Sequence, residues 1–342
     1  MTGPKNILIV RTDRIGDVIL SLPLAGLIKK HYPDCKVSFL LREYTKDITD
    51  GHPHIDEVLI LKEENGKIPL INNVNQLKAK SFDSCIVVYP TLITALIVFL
   101  SRIKIRVGSG YRWYSFLFNR RVYEHRKYAE KHELEFNVNL LRIYGIEEVV
   151  TPDNVVFDFK INPSALESVK KSLSASGVDL NKKLIIAHPG SGGSAVDLPL
   201  EKFAKIVSSL KNLEGVTVII TGGENEKEIC DLVSGDTNVI NLAGKFNLSE
   251  LAALISCSKV FISNSTGPIH IAAALGIFTV GFYPKILACS QERWGPYTTN
   301  KVVFLPEIDC EDCTREQCER LDCMNSINYE GVIREVEREL SK

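Results

Sequence analysis

The feature that most constrains the fold is the regular alternation of short apolar runs with helical stretches in the second half of the chain. The apolar runs are predicted strands at residues 184–187, 217–221, 239–241, 260–263 and 278–281. Helical periodicity fills the intervals, at residues 200–210, 226–233, 248–257 and 267–275. Strands that alternate with helices of this length are typical of a parallel, doubly wound α/β sheet.

The first half shows the same pattern less regularly. Strands are predicted at residues 6–10, 36–41, 57–61, 84–88 and 103–107, with helices over 17–31 and 128–144. Prolines and asparagines punctuate residues 151–163, and a helix begins again near Ser164. We therefore expect two Rossmann-like domains, 1–160 and 161–325, that face a cleft, and a closing amphipathic helix within 326–342 that could pack back on the first domain.

The bulk composition excludes several classes of protein. The chain has 342 residues, enough for two cores, and a formal net charge of −1, which predicts no nucleic-acid partner. Its longest apolar run, residues 92–100, is far shorter than the roughly 20 residues that cross a bilayer. Residues 1–5 lead directly into a short strand, which predicts no signal peptide. We expect a cytoplasmic protein.

The turn after the first strand carries charged residues where such sheets present their ligands. Gly16 permits a tight turn, and Asp17 could remove a proton from a hydroxyl or simply complement the helix dipole. Arg11 and Arg14, with Asp13, could bind phosphate or an acceptor, or the arginines could be solvated. The turn lacks the Gly-x-Gly-x-x-Gly spacing, which argues against a nicotinamide oxidoreductase.

Two further turns predict an anion site in the second domain. A glycine-rich turn after residues 184–187 suits a diphosphate, because glycines let amide groups approach an anion closely. Its candidate residues are Gly190, Ser191, Gly192, Gly193 and Ser194. The second turn opens a helix, and capping alone would explain Ser265 or Thr266. Its candidate residues are Ser265, Thr266, Gly267, Pro268 and His270.

Taken in order, these motifs resemble glycosyltransferase family 9, the heptosyltransferases of lipopolysaccharide inner-core synthesis. The resemblance is carried by residues 13–18, 188–191 and 264–270, supported by 132–137, 222–224 and 242–244. It runs from about residue 6 to 330 in the order of the family. It implies a GT-B fold, with the acceptor on the first domain and the sugar nucleotide on the second.

The resemblance also implies the chemistry. Asp17 matches the base that deprotonates the acceptor hydroxyl in an inverting displacement of ADP from ADP-heptose, without a required cofactor or metal. Ribose and base would lie near Glu224, Leu242, Ala243 and Gly244. The acceptor would be a lipid-linked lipopolysaccharide core, which implies peripheral contact with the inner membrane surface.

One departure from the family keeps alternatives open. Relatives carry a basic residue and an aromatic shortly after the glycine-rich turn, whereas residues 196–199 here read Val-Asp-Leu-Pro. Arg11, Arg14 or Lys245 could substitute for that cation. The alternatives are transfer of another nucleotide-sugar to a different surface glycan, a non-catalytic nucleotide-binding protein and, least supported, a nicotinamide oxidoreductase. Asp17 beside an intact glycine turn argues against mere binding.

Two segments remain outside this scheme. Residues 102–131 are locally basic with interleaved aromatics, which suits an anionic acceptor at a membrane, or a solvated surface over core aromatics. Single-stranded nucleic acid would also suit the pattern, but the neighbouring motifs disfavour it. The closely spaced Cys310, Cys313, Cys318 and Cys323 could hold a structural zinc or remain free thiols, and the other five cysteines read as buried apolar residues.

Overall fold

The computed structural model describes residues 3–235, 239–308 and 313–342. The chain forms two compact units. The first comprises Met1–Arg126 and Glu133–Lys160, and the second comprises Lys127–His132 and Ile161–Lys342. The main division between the units thus falls between residues 160 and 161, within the punctuated segment.

The first unit is built on a parallel six-stranded sheet. Its strands are β1 (Asn6–Val10), β2 (Lys36–Leu41), β3 (Glu57–Ile60), β4 (Ser84–Val87), β5 (Ile105–Ser109) and β6 (Arg120–Val122), in the order β3-β2-β1-β4-β5-β6. Strands β1 and β4 are almost wholly buried, as expected for central strands covered on both faces.

The helices of the first unit are α1 (Ile15–Ile19), α2 (Pro23–His31), α3 (Leu70–Ala79), α4 (Leu92–Leu100) and α5 (Glu133–Asn139). The single helix predicted over residues 17–31 is wrong, because Pro23 starts a new helix at its first position. The helix predicted over 128–144 is also too long. Only α5 is α-helical there, and a 3₁₀ segment, Leu140–Tyr144, follows it and ends at Gly145 with φ of 75°.

The second unit repeats this architecture. Its parallel sheet contains β7 (Lys183–His188), β8 (Val216–Ile220), β9 (Ile240–Asn241), β10 (Val260–Asn264), β11 (Phe278–Phe282) and β12 (Lys301–Phe304), in the order β12-β11-β10-β7-β8-β9. Its helices are α6 (Pro163–Ala175), α7 (Leu200–Leu210), α8 (Lys227–Ser234), α9 (Leu248–Ser256), α10 (Gly267–Ala274), α11 (Gln291–Trp294), α12 (Arg315–Arg320) and α13 (Tyr329–Leu340). The predicted pair of doubly wound α/β domains is confirmed.

Each sheet reverses its strand order at one point. In the first sheet the reversal lies between β1 and β4, and in the second it lies between β7 and β10. The turns that follow central strands at such a switch point are the usual ligand sites of open α/β sheets. The topology therefore places the turn after β1, and the turns after β7 and β10, at the positions where binding and chemistry are expected.

The closing helix belongs to the core of the second unit. Val332, Val336 and Leu340 of α13 are buried there, and the helix packs against α7. The apolar face of α13 is occupied by these contacts, and the packing of this helix on the first domain stays a prediction. Within the described part of the chain, no helix combines the length and apolar character needed to cross a membrane.

Candidate functional site

The turn after β1 is organised by a buried arginine. Arg11 is 1% exposed, and its guanidinium bonds the Asp17 carboxylate. Its Nε lies 2.8 Å from Asp13 Oδ1, and its Nη2 lies 3.5 Å from Glu133 Oε1. Its Nη1 donates to Asn137 Oδ1 at 3.4 Å. We expected Arg11 to bind phosphate or an acceptor, but burial and the protein's own carboxylates make it the anchor of these side chains instead.

Helix α5 supplies the other side of this cluster. Glu133 and Asn137 are one helical turn apart, so both side chains reach the same guanidinium. Glu133 is also bonded by Arg126, whose guanidinium carbon lies 5.7 Å from the centre of the Phe136 ring. The sequence analysis cited this segment without assigning Glu133 or Asn137 to the site. Their i, i+4 spacing was the available signal.

Burial and the charge of the ion-pair partner shift the pKa values of Asp13 and Arg11 in opposite directions. Burial is the main cause that raises the pKa of Asp13 to about 7, and the neighbouring Asp17 carboxylate adds to it while Arg11 opposes it. Burial works against the charge on Arg11, but Asp13, Asp17 and Glu133 together raise the pKa of its guanidinium. The Asp17 side chain stays 13% exposed. The Asp17 carboxylate is therefore partly accessible and is bonded to Arg11, which is buried and permanently charged.

Gly16 lies inside α1 and is not among the described glycines with positive φ, so the tight turn expected there is not observed, and Arg14 is the N-cap residue of the helix. Gly16 is buried, and Arg14 precedes the helix with an exposed side chain and an extended backbone. Ser21 Oγ donates to the Asp17 carbonyl oxygen at 2.8 Å, which fixes the backbone of the aspartate. Asp17 is thus held through both its side chain and its main chain.

In the second unit, the glycine-rich turn after β7 depends on left-handed backbone. Gly192 and Gly193 have φ of 57° and 74°, a conformation that glycine adopts without strain. Both are exposed, whereas Gly190 and Ser191 are buried and Ser194 is half-buried. Helix α7 begins only at Leu200. An anion at the turn would therefore be bound by the amide groups of the turn itself.

One carboxylate holds two neighbouring turns together. Glu226 Oε1 accepts the Gly192 amide at 3.2 Å, and its Oε2 accepts the Gly223 amide at 2.7 Å. The sequence analysis named Glu224 and overlooked Glu226. The missed signal was a glutamate three residues after the start of a helical turn, the spacing of a capping box.

Asn264 fixes both ends of the glycine-rich turn. The side chain of this fully buried residue accepts the Leu198 amide at 2.9 Å and donates to the Pro189 carbonyl oxygen at 2.6 Å. Asn264 ends β10, which pairs with β7 at the switch point. The turn after β7 is therefore attached to the strand beside it.

The turn after β10 leads into α10 as predicted. Thr266 is the N-cap residue, but its side chain makes no capping hydrogen bond, so capping does not explain it. Ser265 is buried and shares a hydrogen bond with Tyr283. Gly267 and Pro268 form the first turn of α10, and His270 lies buried one position beyond Ile269.

The residues expected near ribose and base lie together. The Gly244 amide donates to the Gly222 carbonyl oxygen at 2.9 Å, which joins the turns after β8 and β9. A Cβ on Gly244, whose φ is 71°, would lie 2.5 Å from Glu224 Oε2. Leu242 and Ala243 are buried beside it. The structure thus brings Glu224 and residues 242–244 to one place.

The charges around the glycine-rich turn are mixed. Ser191 Oγ donates to Asp197 Oδ2 at 2.9 Å, and burial is the main cause that raises the pKa of Asp197 to about 6. Arg315 Nη2 donates to the carbonyl oxygens of Gly193 and Ala195 at 3.2 and 3.0 Å. The sequence analysis had named Arg11, Arg14 or Lys245 as a replacement cation. Arg315, from α12, is the arginine that bonds this turn.

The cysteine cluster lies partly outside the described residues, because Cys310 falls there. Cys318 and Cys323 are buried and Cys313 is half-exposed. Burial raises the pKa of Cys318 to about 12, and the neighbouring Cys323 and Cys313 add to the effect. Among residues 3–235, 239–308 and 313–342, no group of histidine, cysteine or acidic side chains is arranged to hold a metal.

The basic, aromatic segment divides between core and surface. Tyr114, Leu117 and Phe118 are buried in the first unit. Trp113 and Phe116 are 76% and 64% exposed. The 3₁₀ segment Ser115–Leu117 contacts α4, which itself leaves Leu92, Phe99 and Leu100 partly exposed. We call these exposed side chains of α4 and of the segment around Ser115–Leu117, namely Leu92, Phe99, Leu100, Trp113 and Phe116, the aromatic surface.

Comparison with known proteins gives the family. The model of glycosyltransferase family 9 (heptosyltransferase) matches residues 72–323. A Haemophilus influenzae protein provisionally named a glycosyltransferase is 32% identical over 300 residues, which cover 85% of this chain and 86% of that protein. Lipopolysaccharide heptosyltransferase 3 of Escherichia coli is 24% identical over 323 residues, 91% of this chain and 92% of that enzyme.

The fold agrees with this assignment. The solved ADP-heptose lipopolysaccharide heptosyltransferase II of Escherichia coli superposes with a TM-score of 0.79 at 20% identity, over 98% of each chain. The two parallel sheets and their helices are those of the GT-B fold. The chain belongs to glycosyltransferase family 9, the heptosyltransferase family, and is a glycosyltransferase.

Proposed function

We propose that this enzyme transfers a heptose from ADP-heptose to a lipopolysaccharide inner-core acceptor with inversion at the anomeric carbon. Asp17 is assigned as the general base. The observation that carries this assignment is the partly exposed Asp17 carboxylate, bonded to buried Arg11 at the switch point of the first sheet. A base must be reachable by substrate and fixed in place, and Asp17 meets both conditions.

The second unit is assigned the donor. Four turns at neighbouring strand ends are assigned the contacts: the glycine-rich turn, the turn at the start of α10, and the paired turns around Glu224 and Gly244. The exposed tip of the glycine-rich turn suits a diphosphate, because left-handed glycines let an anion approach the main chain closely; the Gly193 amide is the candidate donor there, since the Gly192 amide already donates to Glu226. We assign an ADP-sugar as the donor because the related Escherichia coli heptosyltransferase II is named for ADP-heptose.

Bond making and bond breaking follow from these roles. The acceptor oxygen loses its proton to Asp17 and forms a bond to the anomeric carbon. The bond from that carbon to the diphosphate oxygen breaks, and ADP leaves with the electron pair. Amide groups and Arg315 near the glycine-rich turn would stabilise the charge that develops on the leaving diphosphate.

The acceptor is proposed to be lipid-linked and reached at a membrane surface. The aromatic surface of the first unit supports this, because exposed Trp113 and Phe116 suit insertion among lipid headgroups. Arg106 lies on the same surface, with its guanidinium carbon 5.3 Å from the centre of the Phe99 ring. Basic residues beside apolar ones favour anionic lipids. The protein is proposed to act in the cytoplasm, with peripheral contact at the inner membrane.

The first experiment titrates the protein calorimetrically with ADP, UDP and GDP, for the wild type and Asp17→Asn. Selective ADP binding is expected in both proteins, because Asp17 is assigned to the acceptor. A transfer assay with ADP-heptose should then show a loss of kcat of about 10²–10⁴-fold in Asp17→Asn. Preference for UDP or GDP would mean that the donor is a different nucleotide-sugar. Full activity of Asp17→Asn would show that Asp17 is not the base.

A further inference from the structure

Exposed tyrosines gather at the carboxyl edge of the first sheet, the edge on which the turn with Asp17 lies. They follow strands β2, β4, β5 and β6 within three positions and are Tyr44, Tyr89, Tyr111 and Tyr123. The strands of this sheet pair in parallel, so the segments that follow them meet at one edge. Aromatic side chains that stay exposed at the ligand edge of a sheet are typical of a binding surface.

Two of these tyrosines form an ordered group with a histidine. The Tyr111 ring stacks on the His125 ring, with centres 3.9 Å apart and 27° between the planes. It also makes a T-shaped contact with Tyr123, with ring centres 5.5 Å apart. Tyr111 and Tyr123 are nevertheless 46% and 59% exposed. We call Tyr111, Tyr123 and His125 the tyrosine platform.

The main chain beneath the platform holds its rings in place. The Gly110 amide donates to the Val122 carbonyl oxygen at 2.9 Å, which extends the pairing of β5 with β6. A Cβ on Gly110 would lie 2.3 Å from Tyr123 Cε1, so the ring fills the space that a side chain would need there. The Tyr111 amide donates to Ser109 Oγ at 3.3 Å. A ligand would therefore meet rings that are already ordered, which reduces the entropic cost of binding.

Helix α5 connects the loop after β6 to the cluster that holds Asp17. Asn139 Nδ2 donates to Glu124 Oε1 at 2.7 Å, in the middle of that loop. Arg126, at the end of the loop, bonds Glu133, which also lies 3.5 Å from Arg11 Nη2. One helix thus fixes both the platform and the partner of the assigned base.

The chemistry of the platform fits a sugar ring. The C–H face of a pyranose is apolar and its rim carries hydroxyls, and a tyrosine likewise combines an apolar ring with a polar hydroxyl. The charges nearby suit an acidic saccharide, because exposed Arg14 follows β1 and exposed Arg112 follows β5. Such a ligand agrees with an acceptor rich in phosphate and carboxylate groups.

The position of the platform decides which ring it would bind. Strands β5 and β6 are the second and third strands from β1 on that side of the sheet, so their ends lie about 10–15 Å from the turn after β1. That separation is larger than one sugar ring. We infer that the tyrosine platform binds a sugar ring of the acceptor next to the ring whose hydroxyl Asp17 deprotonates. This inference rests on the proposed function, which assigns the acceptor to the first unit.

The test uses fully deacylated lipopolysaccharide from a heptose-deficient strain, which removes the lipid and with it any contribution of the aromatic surface. Tyr123→Ala should raise the KM for this acceptor about tenfold, with kcat changed less than about threefold, because contacts remote from the reacting atoms contribute mainly to binding. Tyr123→Phe keeps the ring and should stay within about twofold of wild type. Ile71→Ala, a similarly exposed apolar position on α3, is the control and should change neither constant.

Calorimetry with the deacylated acceptor alone gives a second readout that does not require transfer. Tyr123→Ala should weaken this binding about tenfold, and unchanged binding and KM in Tyr123→Ala would overturn the inference. An equal loss in Tyr123→Phe would assign the effect to the hydroxyl and overturn stacking. Displacement of the acceptor by a single-stranded oligothymidylate would assign the platform to nucleic acid instead.

The failure of the proposed function would look different. Full activity in Asp17→Asn, or binding of the deacylated acceptor without transfer from ADP-heptose, would overturn the base or the donor and leave the platform in place. Calorimetry with ADP serves as the folding control, because the donor is assigned to the second unit and its affinity should be the same in all these variants.

Discussion

A Cβ atom on Gly190 would lie 2.0 Å from the Glu226 carboxylate oxygen Oε1, so a larger residue at that point of the glycine-rich turn requires the Glu226 carboxylate to shift. Glu226 cannot simply move aside, because the amides of Gly192 and Gly223 both bond its carboxylate. Gly190→Ala should therefore release Glu226 from the two turns. We expect a loss of about 1–3 kcal/mol in the free energy of unfolding, measured with urea. ADP affinity should fall about tenfold by calorimetry.

Gly223→Ala is the matched control for this prediction. Its Cβ would lie 3.5 Å from Glu226 Oε2, an ordinary contact, and its φ of −68° suits any residue. Its stability should change by no more than about 0.5 kcal/mol. Equal losses in both variants would show that the contact between Gly190 and Glu226 is not what limits the turn.

The stability of the second unit should depend on the ionisation of Asp197. Its pKa is about 6 in the folded protein, above the ordinary 3.8, so the folded state binds more protons between these values. Stability should therefore fall as the pH rises from about 4 to about 6. Asp197→Asn keeps an acceptor for Ser191 but cannot ionise. Relative to wild type it should gain at most about 3 kcal/mol across this window, measured by urea unfolding at each pH.

The same charge should oppose the donor. At about pH 8 the ionised Asp197 repels a diphosphate in the turn, and Asp197→Asn should bind ADP about three- to tenfold more tightly. At about pH 5 the two proteins should bind ADP with similar affinity, since Asp197 is then protonated in the wild type and the asparagine of the variant is also neutral. The comparison between variants cancels the protonation of ADP itself. If the ratio of the two ADP affinities does not change with pH, the charge of Asp197 does not act on the bound diphosphate.

Arg315 should discriminate between nucleotides by their phosphates. Its guanidinium is bonded to the glycine-rich turn at Gly193 and Ala195, the turn proposed to bind the diphosphate. Arg315→Ala should weaken ADP about tenfold and AMP much less, because charge-assisted contacts to a second phosphate are lost. Arg320→Ala, at the exposed end of the same helix, is the control and should change neither affinity. Equal losses of affinity for ADP and AMP would show that Arg315 stabilises the turn and does not contact the second phosphate.

The aromatic surface should bind anionic membranes. The Trp113→Ala/Phe116→Ala double variant removes its most exposed rings and should reduce binding to vesicles of phosphatidylglycerol and phosphatidylethanolamine about tenfold, measured by co-sedimentation. Val149→Ser alters an equally exposed apolar residue of the same unit, and binding should persist. Unchanged sedimentation of the double variant would place membrane contact elsewhere or exclude it.

Hydrophobic periodicity predicted most of the fold because the central strands are covered on both faces. Helix α7 begins and ends where the pattern placed it, at Leu200–Leu210, and α13 (Tyr329–Leu340) lies within the predicted range 326–342. Helix α3 was not predicted, since three asparagines interrupt its pattern. One of them, Asn73, is buried and bonds the main chain of Lys62, a tertiary contact that the local sequence does not reveal.

The candidate site was predictable only where a turn carries its own signature. Asp17 and the glycine-rich turn were found because each follows an obvious strand. Asn137 was not, because it lies 126 positions from Arg11, and only the folded sheet brings the two together. Arg315 was missed for the same reason, since it reaches Gly193 from 122 positions away.

The attachment of the glycine-rich turn to Asn264 has a consequence for its dynamics. The Leu198 amide donates to the side chain of Asn264, which belongs to the central strand β10. It therefore cannot exchange with deuterated solvent through a local opening of the turn alone. Its exchange should require disruption of the sheet and track global unfolding, whereas the exposed Gly193 amide should exchange far sooner. One end of the turn is thus as durable as the domain, while the Gly193 amide at its tip should open without unfolding of the sheet.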